Sequence, residues 1–124
     1  MPILVEGIDL VFSTFDAGRQ LGCAADLEVP EVTTSTFVTT GPYAHLRGGP
    51  LAAWAAGGYL YITGEPDREP LMEPEHICEY VNGYTAAVAA EAALRERRTL
   101  DRAVGPSGRR VDVGAMESMI PMHQ

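Results

Sequence analysis

An Ala-rich segment over residues 75–98, flanked by β-branched runs, constrains what this chain can fold into more than any other feature. Acids open it, and Arg95, Arg97 and Arg98 close it. That charge order complements a helix dipole, which is positive at its start and negative at its end. Ile77, Val81, Tyr84, Val88 and Ala92 recur at helical spacing, which predicts the buried face. Upstream, residues 32–38 are rich in β-branched side chains and stop at Gly41-Pro42, the pattern of a strand closed by a turn. Residues 10–15 form an apolar run bounded by Asp9 and Asp16 and read as a buried strand. One or two helical turns over residues 17–25, weakened by Gly18 and Gly22, join the two. A strand, a helical crossover and a second strand make a parallel unit. The expected fold class is therefore α/β: a partial Rossmann-like layer of short parallel strands with helices packed against it.

The rest of the chain fits that frame. Pro50 suits the first position of a helix over residues 50–61, because its missing N–H has no partner there anyway. Gly57-Gly58 weaken that helix while permitting close packing. Residues 64–74 hold three prolines among acids and read as a surface loop. Residues 99–108 are a second loop, 109–113 a short strand and 115–122 a final helix. At 124 residues the chain is expected to be one domain, residues 1–124, with no internal repeat.

A net charge of −8 argues against a nucleic-acid partner, since phosphate contacts need clustered cations. No apolar run reaches the roughly 18–20 residues needed to span a bilayer. Cys23 and Cys78 stand apart, without CxxC or His-rich spacing, so no metal site is indicated. The expected location is the cytoplasm, with both thiols free.

Glu75 and Glu79 lie one turn apart at the start of the long helix and can face one side. Two readings follow from the residues alone. Both acids are solvated and stabilise a helix N-terminus by tenths of a kcal/mol, on the order of 0.3–1 each. Or one is a nucleophile, which a carboxylate becomes where water is excluded. His45, His76 and His123 have no evident partner in the sequence.

Three stretches bear on that choice: Thr40-Gly41-Pro42-Tyr43-Ala44, then Tyr61-Ile62-Thr63-Gly64-Glu65-Pro66-Asp67, then Arg110-Val111-Asp112-Val113-Gly114-Ala115-Met116-Glu117. In this order and spacing the chain resembles the family III CoA-transferases, the CaiB/BaiF group, over nearly all of its residues but only about a third of a family member. The resemblance implies an enzyme that moves CoA between carboxylic acids, with coenzyme A and acyl-CoA as substrates and no metal. It implies a homodimer or a complementary subunit as partner. Where the family places its acyl-accepting Asp, this chain has Glu79, followed by Asn82-Gly83. Glu79 is then either a reworked nucleophile or a mark of lost activity. The second case leaves a degenerate module that binds a CoA-like ligand or a partner.

Contacts to CoA are implied for Phe15, Gly18 and Arg19, which match loosely the family's loop after an early strand. Thr14 and Ala17 depart there from its Asn and Pro. Arg47 stands near the position of the CoA arm, and Met116 matches a position lining the CoA cleft. The racemase branch carries a His-Asp pair where this chain has Gly49 and Pro50, neither of which can move a proton. Racemase chemistry is therefore disfavoured.

Overall fold

The computed structural model describes residues 7–14, 29–72, 74, 76–100 and 110–122. Three strands, β1 (Val11–Thr14), β2 (Glu31–Ser35) and β3 (Arg110–Gly114), form one sheet in the order β1-β2-β3. Both pairings are parallel. The register sets Val32 between Phe12 and Val111, and Thr34 between Thr14 and Val113. The helices are α1 (Pro50–Ala56), α2 (Tyr59–Ile62), α3 (Ile77–Leu100) and α4 (Ala115–Met119), with a 3₁₀ turn over Ile120–Met122.

Parallel neighbours require the chain to travel back between strands. From β2 to β3 the long helix α3 makes that return, packing across both strands. Its N-terminal turns therefore stand at the carboxyl ends of the strands.

Two clusters hold the layers together. Beneath α3, Val32 and Val113 meet Ala86 and Ala90, with Leu10, Ala89 and Val111 at the margin. At the sheet's carboxyl end, Ala53, Trp54, Cys78, Ala115 and Met119 form the second, ringed by Tyr59, Leu60, Ile77 and Val81. The Trp54 and Tyr59 rings lie 4.5 Å apart. Trp54 Nε1 donates to the Leu71 carbonyl at 3.3 Å, and the Tyr59 hydroxyl to the Met119 carbonyl at 3.4 Å. These bonds satisfy the polar tips of two aromatics whose bodies pack in the core.

The buried face of α3 differs from the one its larger residues suggest. Tyr84 and Val88 are 74% and 72% exposed, and Ala92 is exposed as well. The sheet receives Ala86 and Ala90 instead, and Ala93 further along α3 is buried as well. Methyl-sized side chains let the helix backbone lie close on the β-branched surface, so Val32 is wholly covered. Ile77 and Val81 do face inward, onto the second cluster.

Strand β1 is also a correction. Among the described residues it is an edge strand whose burial alternates, leaving Phe12 57% exposed rather than buried on both faces. The helix expected over residues 50–61 divides at Gly57-Gly58, where Gly58 takes a left-handed φ of 92°. That conformation suits glycine because there is no Cβ to clash. Helix α3 runs on through Leu100, into the segment read as loop. The expected turns over residues 17–25, and Cys23, lie outside the described residues. Cys78 is buried and forms no disulfide.

Candidate functional site

At the carboxyl ends of the strands an open cleft of about 240 Å³ is bounded by residues of β1, β2, α1, α3 and α4 and the segments beside them. Thr14, Thr34, Ser35 and Thr36 come from the ends of β1 and β2. Gly49, Pro50 and Ala53 come from the start of α1, Cys78, Glu79 and Asn82 from the first turns of α3, and Ala115 from α4. Ligands of open α/β sheets bind outside the carboxyl ends of the strands, and this cleft has that position.

Local structure explains why these residues converge. Glu79, Asn82 and Ala86 share one stripe of α3, spaced three and four residues apart. Because Ala86 is buried on the sheet, the same stripe turns Glu79 and Asn82 toward the sheet's end. The Cys78 thiol approaches the Pro50 carbonyl at 3.7 Å, where α3 meets the start of α1. On the opposite wall, the Thr36 hydroxyl donates to the Gly48 carbonyl at 2.7 Å and the Met116 amide donates to the Thr36 carbonyl at 3.1 Å. Thr36 therefore joins β2, the approach to α1 and the start of α4.

The Glu79 side chain is 46% exposed, and its Oε1 lies 3.5 Å from His76 Nδ1. This pairing was missed in the sequence, although the spacing of three residues on a helix was its available signal. Asn82 is tied from below. Its Oδ1 accepts a hydrogen bond from the Ser118 hydroxyl at 3.2 Å, and that hydroxyl also reaches the Gly114 carbonyl at 2.8 Å. Asp112, in the Val-Asp-Val run, pins residues after β2. Both the amide and the hydroxyl of Thr39 donate to its Oδ2, at 2.5 Å each.

The other candidate residues divide. Arg47 is exposed in the segment before α1 and does not line the cleft. Met116 is buried at the start of α4, and its neighbour Ala115 supplies the cleft surface instead. Gly49 and Pro50 both line the cleft. Phe15, Gly18, Arg19 and Glu75 lie outside the described residues. A larger groove of about 700 Å³ follows α2 and the next loop, past Tyr61, Ile62 and Arg68. It holds none of the candidate residues, so chemistry rather than size selects the smaller cleft. Among the described residues no three of His, Cys, Asp and Glu stand together as metal ligands. None of the described helices is long and apolar enough to cross a membrane.

A carboxylate on the wall of a cleft, with hydroxyls and an amide around it, is equipped to attack an acyl carbon. Comparison with known proteins bears on that chemistry. The model of CoA-transferase family III matches residues 31–124. The chain belongs to this family. It is 35% identical over 136 residues to a succinyl-CoA--D-citramalate CoA-transferase of Chloroflexus aurantiacus, covering 98% of this chain and 33% of that one. It is 34% identical over 58 residues to a succinate--glutarate CoA-transferase of Agrobacterium fabrum, covering 47% and 14% respectively.

Solved structures share the fold. A CAIB/BAIF family protein from Brucella suis aligns with a TM-score of 0.75 at 24% identity, over 91% of this chain and 31% of that one. A point mutant of Rv3272 from Mycobacterium tuberculosis aligns with a TM-score of 0.78 at 21% identity, over 97% and 34%. This family III chain thus spans about a third of the length of the relatives that it matches end to end.

Proposed function

We propose that this chain carries the nucleophilic wall of a CoA-transferase site, at which Glu79 moves CoA between two carboxylic acids. One observation supports this above the others: a carboxylate lines the cleft at the sheet's carboxyl end, in a family whose named relatives transfer CoA.

The reaction balances without a metal or a redox partner. A Glu79 oxygen attacks the acyl carbon of an acyl-CoA, the C–S bond breaks, and CoA leaves as its thiolate. The mixed anhydride that remains is attacked by the thiolate at the Glu79 carbonyl carbon. The first acid departs as a carboxylate, and Glu79 becomes a CoA thioester. The acceptor carboxylate then displaces CoA to form a second anhydride, and the thiolate attacks the acceptor's acyl carbon. The new acyl-CoA leaves, and Glu79 is a carboxylate again.

Such chemistry needs water kept away from the anhydride. A homodimer or a complementary chain covering the open side of the cleft belongs to the proposal, as does action in the cytoplasm. So do CoA contacts from Phe15, Gly18, Arg19, Arg47 and Met116. The name of the Chloroflexus relative makes succinyl-CoA the first donor to assay.

A second reading rests on the exposure of Glu79 and its pairing with His76. There the carboxylate is a solvated helix-end acid, and the domain binds a CoA-like ligand or a partner without chemistry. Trapping separates the two. The protein, in whatever assembly it forms, is incubated with succinyl-CoA and hydroxylamine, and the peptide containing Glu79 is analysed by mass spectrometry. The proposal predicts a hydroxamate at Glu79 and none in Glu79→Gln. Binding of CoA with an unmodified Glu79 supports the second reading instead.

A further inference from the structure

We infer that Asn82 donates a hydrogen bond to the oxyanion that forms when Glu79 attacks an acyl carbonyl, and that Ser118 sets the direction of that donor. The inference rests on the nucleophile reading of Glu79. Its own basis is the hydrogen bonding around the Asn82 amide.

Asn82 lines the cleft one helical turn beyond Glu79. An asparagine amide carries an acceptor oxygen and a donor nitrogen on one planar carbon, and the two diverge by about 120°. The acceptor end is taken. Oδ1 receives the Ser118 hydroxyl at 3.2 Å, from a serine that is buried and does not line the cleft. Ser118 is itself held, sharing its hydrogen with the Gly114 carbonyl at 2.8 Å. With Oδ1 turned toward Ser118 of α4, Nδ2 diverges from that contact. Among the described residues no acceptor is bonded to Nδ2. Nor does Nδ2 number among the buried polar atoms left without a partner, which are Asp112 Oδ1 and Glu117 Oε2. The amide nitrogen is therefore unengaged and not buried, on a residue that lines the cleft.

Charge develops on the acyl oxygen each time a thioester or anhydride carbon becomes tetrahedral. A fixed N–H aimed at that oxygen stabilises the transition state more than the ground state, because the uncharged carbonyl is the weaker acceptor. A donor already held by a neighbour need not be ordered as the reaction proceeds. The Ser118 bond supplies that restraint.

The test measures acylation of Glu79 by succinyl-CoA in a single turnover, following adduct formation by mass spectrometry in the full chain. Asn82→Asp keeps the shape and the Ser118 bond but replaces the N–H donors with an acceptor. Asn82→Ala removes the donors without adding charge. Both are expected to lower the saturating acylation rate by roughly 10²–10³-fold with little change in the half-saturating concentration. Ser118→Ala, which frees the amide to rotate, is expected to give a smaller loss in the same rate and none beyond it when combined with Asn82→Ala. A purely structural role would lower thermal stability in Asn82→Ala and leave the rate of folded Asn82→Asp at the wild-type value, which overturns the inference. Absence of any Glu79 adduct in the wild-type chain overturns the nucleophile reading and this inference with it. A wild-type adduct with unchanged rates in both Asn82 variants overturns this inference alone.

Discussion

At Gly48 a single methyl group decides how closely the start of α1 can approach the end of β2. A Cβ built there would lie 2.8 Å from the Ala52 Cβ and 2.9 Å from the Phe37 ring, closer than such atoms pack. The Thr36 hydroxyl holds the Gly48 carbonyl in place, so the backbone cannot simply back away. Gly48→Ala is expected to destabilise the chain by about 1–3 kcal/mol, the usual cost of overpacking. Urea denaturation measures it, and an unchanged midpoint would show that the neighbouring segment gives way.

The same scale shows what sequence alone can reveal of a site. That Glu79 stands in the first turn of a long helix was legible, because that position follows from local composition; its role at the cleft stays part of the proposal. Its partner His76 is three residues away and was within reach of the same reasoning. The Asn82–Ser118 bond was not legible. It joins residues 36 apart in sequence, and nothing local to either tells which carbonyl or hydroxyl the other will meet.

At the scale of elements, strands β2 and β3 and all the longer helices were readable from β-branched runs, turn residues and helix formers. The rotation of α3 about its axis was not. Side-chain size pointed to Tyr84 and Val88, but the sheet takes the alanine stripe, because close approach of two backbones favours the smallest apolar groups. This assignment makes opposite predictions for neighbouring positions. In the isolated chain Tyr84→Ala is expected to change stability by no more than about 0.5 kcal/mol, as for other exposed sites. Ala90→Leu, which forces bulk between α3 and β2, is expected to cost about 1–3 kcal/mol. Thermal or urea unfolding of the two variants checks both. A large loss for Tyr84→Ala with a neutral Ala90→Leu would mean that the helix is turned the other way.

Over the whole molecule, the parallel order of three strands is what creates the cleft. Parallel pairing forces α3 to run back along the sheet, and that return brings its acidic first turn beside the strand ends. The α/β class and the parallel arrangement followed from the alternation of strand-like and helix-like segments. Edge status of β1 did not, because strand order depends on which neighbours meet in space, and a run such as residues 10–15 reads alike at an edge or in the middle. The chain covers about a third of the relatives that it matches end to end. The two-anhydride route is the central claim, and it leaves an isotopic mark. When the acceptor acid carries oxygen-18 in its carboxylate, one labelled oxygen should pass into the Glu79 carboxylate with the first turnover. Mass spectrometry of the Glu79 peptide after turnover with succinyl-CoA is expected to find that label at Glu79. Labelled acyl-CoA product accumulating while Glu79 stays unlabelled would contradict the account.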